Sequence, residues 1–212
     1  MARLNAQDAP IFRITHRDNV PWLLENGLHC KNNSTQDPNF VSIGNAELIE
    51  KRTQRDVPLA PQGTLADYVP FYFTPFSIMM YNIYTGFKGV TKRQNEEIVI
   101  LICSVPRLLE LGISFVFYDG HAFMHESTCY NTAADLDKID WKILRDRDFK
   151  NDPEDPGKKG RYQAEALVYQ HLPASALLGI GCYNQKQVDE VATLVAAHGL
   201  TLPVRAMPTW YF

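Results

Sequence analysis

The chain has 212 residues, 45% of them apolar and 11% aromatic, with a formal net charge of −3. That is enough apolar material for one core, and it excludes both a disordered chain and a strongly basic nucleic-acid coat. No apolar run reaches the roughly 20 residues that span a bilayer, and "MARLNAQDAP" lacks the apolar centre of a signal peptide, so the expected location is cytoplasmic with no membrane partner.

In chain order, Ile11 to Thr15 alternates as a short strand. Asp18 is placed to cap a helix carrying Val20, Trp22, Leu23 and Leu24, and Gly27 is placed to stop it; His16 is placed to help with that cap. "GNAELIEKRTQRDVP" reads as a helix capped at Asn45 and ended before Pro58. An aromatic strand over 68–73 leads to a helix from about Pro75 to about Gly86. "EEIVILICSV" is apolar on both faces, the mark of a buried strand, and "ISFVFYDG" is a second strand ending in a turn. Residues 121–160 are polar and crowded with Asp, Asn, Lys, Glu and Pro, and read as a long functional loop. "AEALVYQHLP" and "GIGCYN" are strands, "QKQVDEVATLVAAHGL" an amphipathic helix closed at Gly199, and "PVRAMPTWYF" a last strand. Short mixed strands with segregated helices predict a single α+β domain over 1–212.

Four cysteines, Cys30, Cys103, Cys129 and Cys182, show no C-x-x-C spacing and read as reduced thiols. His121 and His125 are four apart without H-E-x-x-H or a Cys/Asp set, so no metal is expected. Phosphate-binding glycine patterns of the common nucleotide folds are absent.

The chemistry-bearing candidates are few. In "GKKGRYQAEALVYQHLP" the carboxylate of Glu165 sits where an apolar strand begins, with Gln163 two residues earlier on the same strand face. A carboxylate so placed can stabilise a cationic sugar centre, as in glycosidases, with the amide holding an acceptor; the pair alone is a weak signal, and the other reading of Glu165 is a solvent-facing strand edge. Arg52, at the end of "LIEKR", is suited to anchoring an anion, or is a surface arginine on a helix end. His121 follows a strand in "YDGHAF", suited to proton handling, or is a turn histidine. Basic clusters at 51–55, 88–93 and 157–161 offer a small nucleic-acid footprint or are solvated loops.

The ordered set "IFRITHRDN…ENGLHC", "IGNAELIEKR", "DYVPFYFTPFSIMMYNI", "FVFYDGHA" and "RYQAEALVYQHLP" closely resembles the DarT family, over about residues 10–212. DarT proteins are DNA ADP-ribosyltransferase toxins of bacterial toxin–antitoxin pairs. The resemblance implies an ADP-ribosyltransferase fold, a split mixed β core with flanking helices that holds NAD in an open cleft. It implies transfer of ADP-ribose to a base of single-stranded DNA, with thymine N3 the acceptor in the branch this chain resembles best, and a macrodomain antitoxin of the DarG type as partner. The catalytic residues it implies are Glu165, Arg52 and His121, with cofactor contacts at Arg13, Ile14, Thr15, Gly27, Leu28, Arg52 and Tyr72. An NAD-embracing element corresponds to about 36–54 and a substrate loop to about 121–165. One departure is Arg13, where some members carry His. For the DNA strand, the cations and aromatics in or near the long loop supply the candidates: His121, Tyr130, Lys158, Lys159, Arg161 and Gln163. Transfer to guanine, RNA or protein, and a non-catalytic DNA-binding module, remain open at this point.

Overall fold

The computed structural model describes residues 3–212, apart from the side chain of Lys88 in the 88–93 basic cluster; Met1 and Ala2 lie outside the described residues. Ten strands are present among them: β1 (Pro10–His16), β2 (Leu28–His29), β3 (Tyr68–Tyr72), β4 (Ile98–Ser104), β5 (Phe115–Tyr118), β6 (Cys129–Tyr130), β7 (Glu165–Tyr169), β8 (His171–Leu172), β9 (Gly179–Cys182) and β10 (Val204–Ala206). Seven helices accompany them: α1 (Val20–Asn26), α2 (Ala46–Arg52), α3 (Ile78–Thr85), α4 (Val105–Glu110), α5 (Trp141–Asp146), α6 (Lys158–Arg161) and α7 (Gln185–Ala197). Eight strands form one mixed sheet in the order β10-β9-β4-β1-β3-β7-β5-β6, and β2 pairs with β8 in a small second sheet.

The sheet is split in its middle. β1 and β4 pair along seven residues, and β3 and β7 along five, yet β1 meets β3 only at Phe12 opposite Tyr72. Pro70 supplies a physical reason. The amide and carbonyl of one strand residue point to the same side, and the Pro70 carbonyl accepts a hydrogen bond from Arg13 Nη1 of β1 at 2.9 Å. The N–H that would have continued the ladder toward β1 is the one proline lacks. Beyond Phe12 the strands part, and the gap becomes a cleft.

Three apolar clusters follow from this. The largest packs α1, α4, α5 and α7 against one sheet face through Ile11, Phe71, Val99, Leu101 and Val168. The others gather around Phe12, Ile14 and Ile100 on the β1–β4 half, and around Tyr68, Val116 and Leu167 on the β3–β7–β5 half.

The predicted elements are largely present, with local corrections. His16 caps a 3-10 turn over Arg17–Asn19 that leads into α1, its Nδ1 accepting from the Asp18 amide; α1 itself starts after Asn19, which makes no side-chain cap bond, so Asp18 caps neither. Asn45 caps α2 as expected, its side chain accepting from the Leu48 amide. α3 starts three residues after Pro75, because Ser77 takes the cap. "AEALVYQHLP" is not one strand. Gln170 adopts φ 54, so the chain turns out of the main sheet and Leu172 pairs with Leu28.

Residues 121–160 are more structured than the sequence pattern suggests. They contain β6, a 3-10 turn over Ala133–Lys138 and α5, with Leu136, Ile139, Trp141, Ile143 and Leu144 buried in the main core. Interrupted by charged residues, with only Ile143 and Leu144 adjacent, these five anchors form no run long enough to read as an element.

Candidate active site

Glu165 is the first residue of β7, a central strand flanked by β3 and β5. Its residue is 3% exposed, so it is no solvent-facing edge carboxylate. A carboxylate so buried needs partners for both oxygens. Oε2 accepts from Arg52 Nη1 at 3.1 Å. Oε1 accepts from the Ala122 amide at 3.2 Å, and His121 Nδ1 lies 3.3 Å from it. Residues far apart in the chain thus converge on one group: Arg52 from the end of α2, His121 and Ala122 from the turn after β5.

His121 Nδ1 also accepts the Phe123 amide at 3.2 Å. A lone pair engaged by that N–H carries no proton for Glu165, so the two contacts exclude one another, and the neutral ring then holds its proton on Nε2. Arg52 is half-buried and offers a further N–H: its Nη2 is enclosed without a hydrogen-bond partner. Such an unmet donor is aimed at an acceptor the free protein does not supply.

Tyr72 lies opposite Glu165 in the β3–β7 register. Burial pushes its phenol well up, and the Glu165 carboxylate adds to that, so Tyr72 stays a neutral hydrogen-bonding group. Burial, reinforced by Arg52, lowers the Arg13 guanidinium to about 10, which leaves it charged at neutral pH.

Arg52 joins this cluster to the cleft in the split sheet. The cleft measures about 320 Å³, within the range of small-molecule sites. Arg13 and Thr15 of β1 face Tyr68 and Pro70 of β3 across it, α1 and β2 contribute Trp22 and Leu28, and the segment 36–54 closes it with Asp37, Phe40, Ile49 and Arg52. A larger recess, about 610 Å³ beside Ile102, Leu178 and Trp210, contains none of Glu165, Arg52 or His121. Cleft size therefore does not mark the chemistry, whereas the converging titratable groups do. No group of three or more His, Cys, Asp or Glu side chains that could hold a metal occurs among the described residues. No helix among them is long and apolar enough to cross a membrane.

Of the residues expected to bind cofactor, Arg13, Thr15, Leu28 and Arg52 line the cleft. Ile14 does not present its side chain there. Strand alternation sends it to the opposite face, against Phe12, Met80 and Ile98. Gly27 serves the fold: it has φ 78, and a Cβ would stand 2.4 Å from His171 Nε2 and 2.6 Å from the Leu172 carbonyl.

The expected DNA contacts divide. Gln163 is in the turn before β7, not on the strand, and donates to the Lys159 carbonyl. Gly160 packs on Gly120, next to His121, so this turn does border the site. Lys159 is exposed with no carboxylate partner among the described residues. Lys158, by contrast, is 8% exposed and spends its ammonium on Asp148 at 2.9 Å and Asp152 at 3.2 Å. Arg161 is spent likewise on Asp155 and Asp140, and Tyr130 stacks on Phe117 beside the main core. The sequence reading missed Ala122, whose contribution is a backbone amide and carries no residue-type signal.

A family model described as ssDNA thymidine ADP-ribosyltransferase, DarT, matches residues 12–212. The chain belongs to the DarT family. A DNA ADP-ribosyl transferase of Escherichia coli O127:H6 is 49% identical over 211 residues, covering 100% of this chain and 97% of that one. Thermus sp. 2.9 DarT in complex with ADP-ribosylated ssDNA superposes with a TM-score of 0.89 at 30% identity, covering 100% of both chains. The same Thermus protein in complex with NAD+ gives 0.85 at 29%, covering 97% of this chain and 98% of that one. A Thermosipho africanus relative, 26% identical over 95% of this chain, is a DNA ADP-ribosyl transferase–DNA ADP-ribosyl glycohydrolase fusion, of which the match spans 49%. The fold is thus the ADP-ribosyltransferase fold expected of the family, and the chain is a DNA ADP-ribosyltransferase by membership.

Proposed function

We propose that this chain transfers ADP-ribose from NAD to the N3 nitrogen of a thymine in single-stranded DNA. It releases nicotinamide and acts as a toxin that a macrodomain glycohydrolase antitoxin of the DarG type reverses. The observation that carries the reading is the position of Glu165. Its carboxylate is held by Arg52 and by the Ala122 amide where the split-sheet cleft meets the turn at His121. The cleft suits NAD: it is open, one wall is apolar through Trp22 and Leu28, and it holds two arginines, one with an unmet donor, for a pyrophosphate.

NAD supplies the ribosyl centre and a leaving group that departs neutral, so no acid is needed to protonate it. Glu165 hydrogen-bonds the 2′-hydroxyl of the nicotinamide ribose and stabilises the positive charge that grows on the sugar. The C1′–nicotinamide bond breaks, the C1′–N3 bond forms, and N3 loses its proton. Arg52 is no candidate to take that proton, because a guanidinium does not deprotonate in proteins. It stabilises the negative charge developing on the thymine or holds the pyrophosphate. His121, with Nδ1 free to change partners, handles the proton or a thymine carbonyl. Burial keeps these charges effective by excluding water.

The antitoxin reading draws on the fused glycohydrolase of the Thermosipho relative. The deciding experiment is mass spectrometry of short single-stranded oligonucleotides that differ at one base, incubated with NAD. Wild type is expected to add one ADP-ribose only where thymine is present, and Glu165→Gln to lose at least about 100-fold in rate. Equal labelling of guanine-only oligonucleotides, RNA or protein would overturn the acceptor; undiminished transfer by the variant would overturn the role of Glu165.

A further inference from the structure

We infer that an aromatic platform on the far side of the Glu165 turn, capped by Arg147, holds the nucleotides that flank the target base. This deepens the proposed reaction by naming where its DNA strand runs. Phe76 and Phe212 lie 3.9 Å apart at their centroids, Tyr81 and Phe149 pack around them, and Tyr162 supports Phe149 from beneath. Arg147 places its guanidinium carbon 4.5 Å over the Phe76 ring.

Two features mark Arg147 as more than a surface residue. It closes α5 in the left-handed conformation, at φ 54 and ψ 34, where glycine or asparagine fits with less strain. Its exposed guanidinium has no carboxylate partner among the described residues, although Asp146 and Asp148 are its chain neighbours; those carboxylates are held by Lys142 and Lys158. Arg147 and Lys159 are thus left exposed with no carboxylate partner among the described residues. Aromatic faces interleaved with free cations are the chemistry of sequence-tolerant single-strand binding, and a guanidinium plane itself stacks on bases.

The platform is continuous with the active site. Tyr162 Oη donates to the Phe76 carbonyl at 2.8 Å and lies three residues before Glu165. Phe76 is four residues past Tyr72, which faces Glu165, so it is within about 14 Å of chain from the reacting centre. Phe76 itself is sandwiched between Phe212 and Arg147, so a strand whose target base sits at Glu165 lays its next nucleotides on the Arg147 guanidinium and the exposed Tyr81 ring, not on Lys158 or Arg161.

Arg147→Gly relieves the left-handed strain, so loss of function in it is not loss of folding. Binding of a fluorescent ten-nucleotide single strand is read by anisotropy against salt, alongside the KM for that strand in the transfer assay and the melting temperature. The expected result is retained or raised Tm, about tenfold weaker binding, a log–log salt slope reduced by about 0.7, and a matching rise in the oligonucleotide KM with little change in the NAD KM. Phe76→Leu is expected to weaken binding at an unchanged salt slope, since it removes the ring that supports the Arg147 guanidinium and no charge. Unchanged affinity and slope in Arg147→Gly, or an equal loss on a dinucleotide too short to reach the platform, would overturn the inference. Because binding is read without turnover, weakened binding by the variant alongside absent thymine transfer by wild type would sink the proposed reaction and leave the platform standing.

Discussion

The two walls that meet at Glu165 are built in opposite ways. The cleft wall is made of regular elements, β1, α1, β2 and β3, with the capped helix α2 laid across it. Its two arginines are held from one side and open to the cleft on the other. The wall from 121 to 163 is made of turns, short helices and the two-residue strand β6, pinned by five apolar anchors and by the pairing of buried Lys158 and half-exposed Arg161 with four aspartates. One wall keeps Arg13 and Arg52 open to a ligand. The other spends Lys158 and Arg161 on its own folding, because a segment this polar has little apolar surface to stabilise it and must pair part of its charge internally.

The contrast is sharpest at Arg52. Arg52→Lys keeps the charge but loses the fork that serves Glu165 and a ligand together, and transfer is expected to fall about 100-fold, read as single-turnover rate on a thymine oligonucleotide. A rate near wild type would show that charge alone matters on the cleft side. Arg13→Gln removes the side chain that bridges β1 to the Pro70 carbonyl. The NAD KM is expected to rise about tenfold, equivalent to about 1.4 kcal/mol, with the oligonucleotide KM little changed. A shift confined to the oligonucleotide KM would erase the distinction between the walls.

Lys158→Met tests the other side. Stability is expected to drop, read as a lowered Tm, while transfer measured well below that temperature changes little. A large rise in oligonucleotide KM without a stability loss would return Lys158 to the DNA path. The smallest effect is in pH. Hydrogen bonding to Lys158 depresses the Asp148 carboxyl, and hydrogen bonding to Arg161 depresses that of Asp155. A depressed carboxylate contributes stability above its unfolded pKa, near 4, and loses it as pH falls through the lower folded value. Raised by the same hydrogen bond, Lys158 contributes below its ordinary range and loses it as pH climbs through the higher folded value. Hydrogen exchange over 140–163 is therefore expected to accelerate below about pH 4, before the central strands respond. Uniform loosening of both walls would break the comparison.

Much of the frame was legible in the sequence because its causes are local. β1, β4 and α7 follow from their apolar periods, and Asn45, Gly27 and Gly86 mark helix ends by chemistry that acts within four residues. Residue types also flagged Glu165, Arg52 and His121, and the family resemblance joined them. What the sequence could not state was which charges are free. Lys158 and Lys159 are neighbours of the same type, yet one is buried between two carboxylates and the other is exposed. The stretch "RDRDFK" over 145–150 alternates basic and acidic residues, but that Lys142 and Lys158 take up Asp146 and Asp148 and leave Arg147 free is a matter of folding. The splitting of β1 from β3 lies between: Pro70 is visible, but the side on which its missing N–H falls is set by the register of β3 against β7. The sequence by itself determined which residues are able to do the chemistry, since that depends on functional groups and local periodicity. Only the tertiary structure decided which of them have charge and donors left over, because pairing in a low-dielectric interior depends on distances across more than a hundred residues of chain, such as the 3.1 Å from Arg52 to Glu165.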